Sequence, residues 1–234
     1  MTPPGAPRSM GRDYVHPIEV QSMRILASRA DLSRLPWLSR AVVQRVIHSA
    51  ADVRYLDDLV LDEVALMRGW EALAAGAPIV ADSRMVAAGI TSTDVEVPLS
   101  DPGVADRAAT VDTTRSAAAI AMAAERVGPG AIWVVGNAPT ALVAVIAHAQ
   151  EPALVVGLPV GFVGAVEAKA ELRASGLPAV SNVSELGGSA VAASAVNALL
   201  YTATATPSGF PSTSRTPSPP SVPSSPVSSQ ESSS

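Results

Sequence analysis

Residues 131–140, AIWVVGNAPT, and 153–164, ALVVGLPVGFVG, decide the fold. Each sets a short apolar, largely β-branched run against a turn rich in Gly and Pro. A continuous run of that length is how a strand buried on both faces reads. Helical patterns follow, to about Ala149 in the first case and through Glu167 and Lys169 to Ser175 in the second. A third run, Ala179–Val183, leads through Glu185-Leu186-Gly187-Gly188-Ser189 into a helix ending near Tyr201. Strands alternating with helices predict βαβ units on a parallel sheet. The expected fold class is therefore α/β: a single domain with a mostly parallel open sheet and helices on both faces. The turns after the strands gather along the sheet's carboxyl edge, where open α/β sheets bind ligands and helix N-termini favour anions.

Upstream, Asp58–Leu61 (DLVL) reads as a strand. An amphipathic helix follows over Asp62–Ala75, with Val64, Met67, Trp70 and Leu73 expected inward and Gly76 as its stop. Pro78–Ala81 is another strand and Ser83–Ala88 a short helix. Val95–Leu99 is expected as a strand that Pro98 pushes to an edge. After Asp101-Pro102-Gly103, one Ala-rich helix is expected over about Val111–Arg126. Arg115 lies early in it, where the dipole disfavours a cation, so it should meet a carboxylate or a ligand.

Two helices open the chain, the first from His16-Pro17. The second, Leu38–Asp52 (LSRAVVQRVIHSAAD), turns Leu38, Val42, Val43, Val46 and Ile47 toward a core. Arg40, Gln44 and His48 share a polar stripe that ends near the C-terminus, where the dipole favours imidazolium and suits a proton donor. Read locally, His48 is more simply a surface or capping histidine, and spacing alone discloses no reaction.

With 234 residues the chain builds one substantial core, and with 48% hydrophobic but 3% aromatic residues that core is Ala, Val and Leu. Small side chains suit close helix–sheet packing. The net charge of −5 argues against nucleic acid as the main partner. Without cysteine there is no disulfide, thiol nucleophile or Cys-held metal, and His16, His48 and His148 form no spaced metal motif. MTPPGAPRSMGRDY lacks a signal-like apolar region, and no run reaches membrane-spanning length unbroken, so a cytoplasmic protein is expected. Residues 1–15 read as a flexible arm, 16–203 as the domain, and 204–234 as a disordered Ser/Pro-rich tail. Gly157, Gly161 and Gly164 do not match GxGxxG, and neither a P-loop nor a GxSxG elbow is present.

Taken in order, certain segments resemble the precorrin-8X methylmutase (cobalt-precorrin-8 methylmutase) family of cobalamin biosynthesis. They are PIEVQSMRIL (17–26), ADLSRLP (30–36), VIHSAADVRY (46–55), AGAPIVADSRMVAAGIT (75–91), DTTRSAAA (112–119), GNAPTAL (136–142), LPVGFVGAVEAK (158–169) and LGGSAVAASAVNAL (186–199). The resemblance implies an isomerase that moves a methyl group from C-11 to C-12 of a corrin precursor, giving hydrogenobyrinate or its cobalt counterpart. It implies His48 as general acid, with Ser22, Thr91 and Arg115 in the same pocket. An intramolecular shift needs no cofactor. Backbone donors of Gly136–Thr140 (Gly136, Asn137, Thr140) and of Pro159–Gly164 (Gly161) are expected to hold substrate carboxylates. The family resemblance further implies a homodimer with its site near the subunit interface. A non-catalytic tetrapyrrole carrier on the same fold is the alternative. Metal-free and cobalt-loaded substrates are not distinguished by the sequence.

Overall fold

The computed structural model describes residues 17–91 and 93–204. The expected arm over 1–15, His16, and all but the first residue of the expected tail lie outside the described residues. In chain order the elements begin with α1 (Pro17–Arg29), α2 (Trp37–Ala50), α3 (Tyr55–Asp58), β1 (Leu59–Leu61), α4 (Glu63–Ala74) and β2 (Ile79–Ala81). There follow α5 (Arg84–Gly89), α6 (Val104–Thr110), α7 (Arg115–Val127), β3 (Ile132–Val135) and α8 (Pro139–His148). The chain continues through β4 (Leu154–Gly157), α9 (Ala165–Ala174), β5 (Ala179–Asn182) and α10 (Ser189–Thr204).

The strands lie in the order β1-β5-β4-β3-β2. β2 through β5 are parallel, and β1 closes one edge antiparallel to β5, with Leu59 opposite Asn182. Side chains alternate across the sheet, so each strand feeds two cores. Ile79, Ile132, Val134, Leu154, Val156 and Val180 face α2, α4 and α10, whose Leu38, Val42, Leu66, Val196 and Leu199 are buried against them. Val80, Trp133, Val135 and Val155 face α7, α8 and α9 through Ile120, Leu142, Val145 and Leu172. The sheet is mostly parallel with helices on both faces, as the sequence predicts. Among the described residues no helix is long and apolar enough to cross a membrane.

Three local expectations are corrected. Val95–Leu99 is not a strand: Glu96 makes a single parallel bridge to Val80, and Pro98, lacking an N–H, opens a 3-10 turn at Pro98–Ser100. The helix expected over Val111–Arg126 is two helices, α6 and α7. Asp112 takes a left-handed conformation (φ 49°) between them, and the Thr114 hydroxyl caps α7 by accepting from the Ala117 N–H at 3.2 Å. In α4 Val64 points outward, 63% exposed, while Ala65, Leu66, Gly69 and Leu73 form the buried stripe. Gly69 leaves room there for Leu154 of β4, whose Cδ2 would lie 2.6 Å from a Cβ, and Met67 and Trp70 are only partly buried.

Parallel pairing puts the ends of β2–β5 on one edge, so Asp82, Gly136, Leu158 and Val183 emerge together. The antiparallel β1 begins at that edge, which brings Asp58 there as well.

Candidate active site

α2 is seated by Leu38, Val42, Val43, Val46 and Ile47, all buried. Its N-cap is Pro36, which has no side-chain acceptor, and Glu63 of α4 supplies one instead. The Glu63 carboxylate accepts from Leu38 N–H and Ser39 N–H, both at 2.9 Å, and from the Ser39 hydroxyl at 2.6 Å. The helix ends at Ala51 in a left-handed conformation (φ 53°), leaving His48 in the last turn. There Ser22 Oγ of α1 meets His48 Nδ1 at 2.9 Å, half-buried. With Nδ1 engaged, Nε2 is the ring nitrogen left for a ligand.

His48 lines a cavity of about 220 Å³ between α2, the end of α5 at Gly89, and the first half of α10. Small residues hollow it out. A Cβ on Gly89 would lie 2.7 Å from that of Ala193, so α5 ends directly against α10. Thr91 reaches the cavity through Asn197: its N–H and hydroxyl donate to Asn197 Oδ1 at 3.0 and 3.3 Å, and Asn197 Nδ2 donates to the Gly89 carbonyl at 2.7 Å. The Thr91 hydroxyl also lies 2.5 Å from the Tyr201 hydroxyl, and the Arg45 guanidinium stacks on the Tyr201 ring at 4.5 Å. The structure thus joins Ser22, His48 and Thr91, and adds Arg45 and Asn197 to the cavity wall. Sequence reasoning missed both. Arg45 lies three residues before His48, which was a usable signal, whereas Asn197 sits within an apolar helix pattern.

The turn after β3 departs from expectation. The Asp82 carboxylate accepts the N–H groups of Gly136 (3.2 Å), Asn137 (2.8 Å) and Ala138 (2.9 Å). These donors, expected to hold substrate carboxylates, are spent on an internal one. Burial raises the Asp82 pKa against the pull of those three hydrogen bonds. Gly136 is required by packing, since a Cβ would lie 2.8 Å from Val86 Cγ2 and 3.0 Å from Ala192 Cβ. The Asn137 side chain accepts from the Ser189 hydroxyl at the start of α10. Gly161 is corrected likewise: its N–H donates to the Glu185 carbonyl at 3.2 Å, while Phe162 beside it is 97% exposed.

Arg115 and Thr140 form a second group on the same edge. Arg115 opens α7, is exposed, and has no carboxylate partner among the described residues. Next to it Thr114 Oγ1 meets Thr140 Oγ1 at 2.8 Å, tying the starts of α7 and α8. A larger cavity of about 650 Å³ runs between α6, α7 and α8. Its wall mixes alanines with polar residues, among them Arg107, Glu125 and His148, and Thr140 is the one candidate residue that lines it.

The loop feeding α10 is held from below by Lys169, which is fully buried. Its ammonium donates to Asn182 Oδ1 and the Leu186 carbonyl, both at 2.9 Å, and to the Ser184 carbonyl. Asn182 Nδ2 in turn donates to Asp58 at 2.7 Å, and Asp58 accepts from the Ser184 N–H at 2.8 Å. Burial lowers Lys169 to about 8. In the same loop Gly187 (φ 153°) packs on the backbone of Leu158 and Pro159, where a Cβ would overlap the Leu158 carbonyl.

An imidazole in contact with a hydroxyl, in a cavity between helices packed on one face of a mostly parallel sheet, is an arrangement in an α/β protein that suits proton transfer. The family model described as precorrin-8X methylmutase matches residues 17–202, and the chain belongs to that family of isomerases of cobalamin biosynthesis. It is 41% identical over 191 residues to the precorrin-8X methylmutase of Pseudomonas aeruginosa, covering 76% of this chain and 91% of that one. It is 39% identical to the cobalt-precorrin-8 methylmutase of Salmonella typhimurium, over 79% and 93% of the two chains. A crystal structure of precorrin-8X methylmutase from Thermus thermophilus superposes with a TM-score of 0.72 at 37% identity, covering 80% of this chain and 96% of that one.

Proposed function

We propose that this enzyme converts precorrin-8X, or its cobalt-containing counterpart, by moving the methyl group on C-11 to C-12, with His48 as the general acid. The single observation that carries the acid's assignment is the Ser22–His48 contact at the wall of the cavity. A Ser22 hydroxyl donating to Nδ1 makes that nitrogen the acceptor and puts the ring proton on Nε2. Nε2 is then the donor presented to the ligand. The reaction is an isomerisation: the C-11–methyl bond breaks, the C-12–methyl bond forms, and the proton lent by His48 returns when the ring gives one up. Composition is unchanged, and neither methyl donor nor redox cofactor takes part.

The substrate carries acetate and propionate groups around its rim. Arg115, exposed at the same edge and without an internal carboxylate, is assigned to one of them as a bidentate partner. Thr91 acts by holding Asn197 in the cavity wall. A cavity of about 220 Å³ lies below the roughly 300–1,000 Å³ of ordinary ligand pockets, so one edge of the macrocycle enters it and the rest lies across the sheet's edge. That leaves the outer side of the ring for a second copy of the chain to cover, in a homodimer. The test is incubation of the purified protein with precorrin-8X, with absorbance and product mass followed. Conversion to an isomer of equal mass and altered chromophore is expected, and recovery of unchanged precursor would refute the assignment.

A further inference from the structure

Resting on that reading, we infer that the turn Val160–Val163 is the ledge that carries the flat face of the macrocycle, with Phe162 stacked against the ring. The chain has two phenylalanines, and this one is 97% exposed, with Val163 beside it at 88% and Val160 at 48%. Apolar side chains grouped in one turn mark a contact surface, unlike hydrophobes scattered singly over a protein. The backbone beneath them is pinned. The Gly161 N–H donates to the Glu185 carbonyl at 3.2 Å, and the Gly188 N–H to the Leu158 carbonyl at 2.9 Å. No charged residue lies between Glu151 and Glu167. The turn's side chains therefore offer nothing to the substrate's carboxylate rim and suit the apolar face of the ring.

Its place in the fold names the occupant. On one side, Val160 Cγ1 lies 3.9 Å from where a Cβ on Gly188 would sit. Gly188 is two residues before Ala190, which lines the His48 cavity. On the other side, Pro139 Cβ lies 3.5 Å from where a Cβ on Gly164 would sit. Pro139 precedes Thr140, whose hydroxyl meets that of Thr114, the neighbour of Arg115. The turn thus stands between the general acid's cavity and the carboxylate anchor. A ring with one edge in the first and one arm on the second passes over it. A second copy of the chain is the other conceivable cover. Three side chains fall well short of the roughly 800 Å² that each partner gives to a standard interface, whereas an aromatic ring flanked by two valines matches the face of a macrocycle.

The test compares wild type with Phe162→Ser, which removes the ring, and Phe162→Trp, which keeps an aromatic face. The side chain is exposed, so both variants should unfold at the wild-type temperature. Steady-state kinetics with precorrin-8X should show KM raised at least ~10-fold in Phe162→Ser, with kcat within about threefold, and near wild type in Phe162→Trp; tenfold corresponds to about 1.4 kcal/mol of binding. Titration with the corrin polycarboxylic acid hydrogenobyrinate gives a readout independent of turnover. Its affinity should fall by a similar factor in Phe162→Ser, and it should quench the emission of Phe162→Trp beyond the quenching seen in wild type. Sedimentation should find the oligomeric state of Phe162→Ser unchanged. A KM and an affinity both unchanged in Phe162→Ser overturn the proposal while leaving the enzyme's function intact. A Phe162→Ser protein of altered oligomeric state assigns the turn to a second copy and overturns it too. A wild type that neither binds nor converts any corrinoid overturns the function, and the ledge with it.

Discussion

Replacing Lys169 with Met tests whether the buried ammonium holds in place the loop that feeds α10. The lysine is fully enclosed and donates to Asn182, Ser184 and Leu186. Met matches its stem but none of its three donors. Two terms oppose each other at neutral pH. Removing the ammonium relieves a desolvation cost: a lowering from 10.5 to about 8 corresponds to roughly 3 kcal/mol. Against that, Asn182 Oδ1 loses its donor, the Ser184 and Leu186 carbonyls keep only Asn182 Nδ2, and the Asp58 carboxylate loses a nearby cation. Breaking a buried charge network from one side costs about 3–5 kcal/mol net, with the charge relief already counted, so the variant should be less stable by about 3–5 kcal/mol at pH 7. The pH dependence carries a definite sign. The folded-state pKa lies below the unfolded value, so the lysine's contribution is fully favourable above 10.5 and is lost as pH falls through about 8. Wild type therefore gains on Lys169→Met as pH rises, by about 2 kcal/mol at pH 9.5. Urea unfolding of both proteins at pH 7 and 9.5 measures this, with effects of other groups cancelling in the difference. A gap that is absent at pH 7, or that narrows toward pH 9.5, would refute the reasoning.

Removing the Glu63 carboxylate (Glu63→Ala) strips the buried start of α2 of its cap, and chemical denaturation should show a loss of about 2–3 kcal/mol. Ser22→Ala leaves His48 without the partner that fixes its ring; kcat should fall about 10-fold or more with KM little changed, and an unaltered kcat would remove Ser22 from the mechanism. Gly136→Ala forces a methyl group against Val86 and Ala192, and thermal unfolding should report a loss of about 1–3 kcal/mol even though the substitution is conservative.

The parallel core was legible because strands buried on both faces leave an unmistakable mark: IWVV and LVVG are apolar throughout and end at glycine-bearing turns. The α2 stripe was equally legible, since all five predicted inward residues are buried. Shorter elements failed where one residue outweighed the pattern. Pro98 turned an alternating VEVPL into a bridge and a 3-10 turn, and the Thr114 cap split an alanine-rich run that periodicity joins. At the site, the Ser22–His48 contact spans 26 residues, and periodicity within either helix says nothing of it. The family resemblance alone brought Ser22 forward. The Gly136–Ala138 donors were expected to hold substrate carboxylates, but the carboxylate they meet is that of Asp82, 54–56 residues upstream, which no local pattern connects to them. Arg45 was passed over because a cation on a helix reads as solvated surface until its neighbours across the cavity are known.

The most direct test of the account is the fate of precorrin-8X on His48→Asn, followed by absorbance and mass alongside wild type. Wild type should produce the isomer, and the variant should bind the ring with its conversion slowed by about 10²–10⁴-fold, the range of a lost general acid. Conversion by His48→Asn at the wild-type rate would contradict the account.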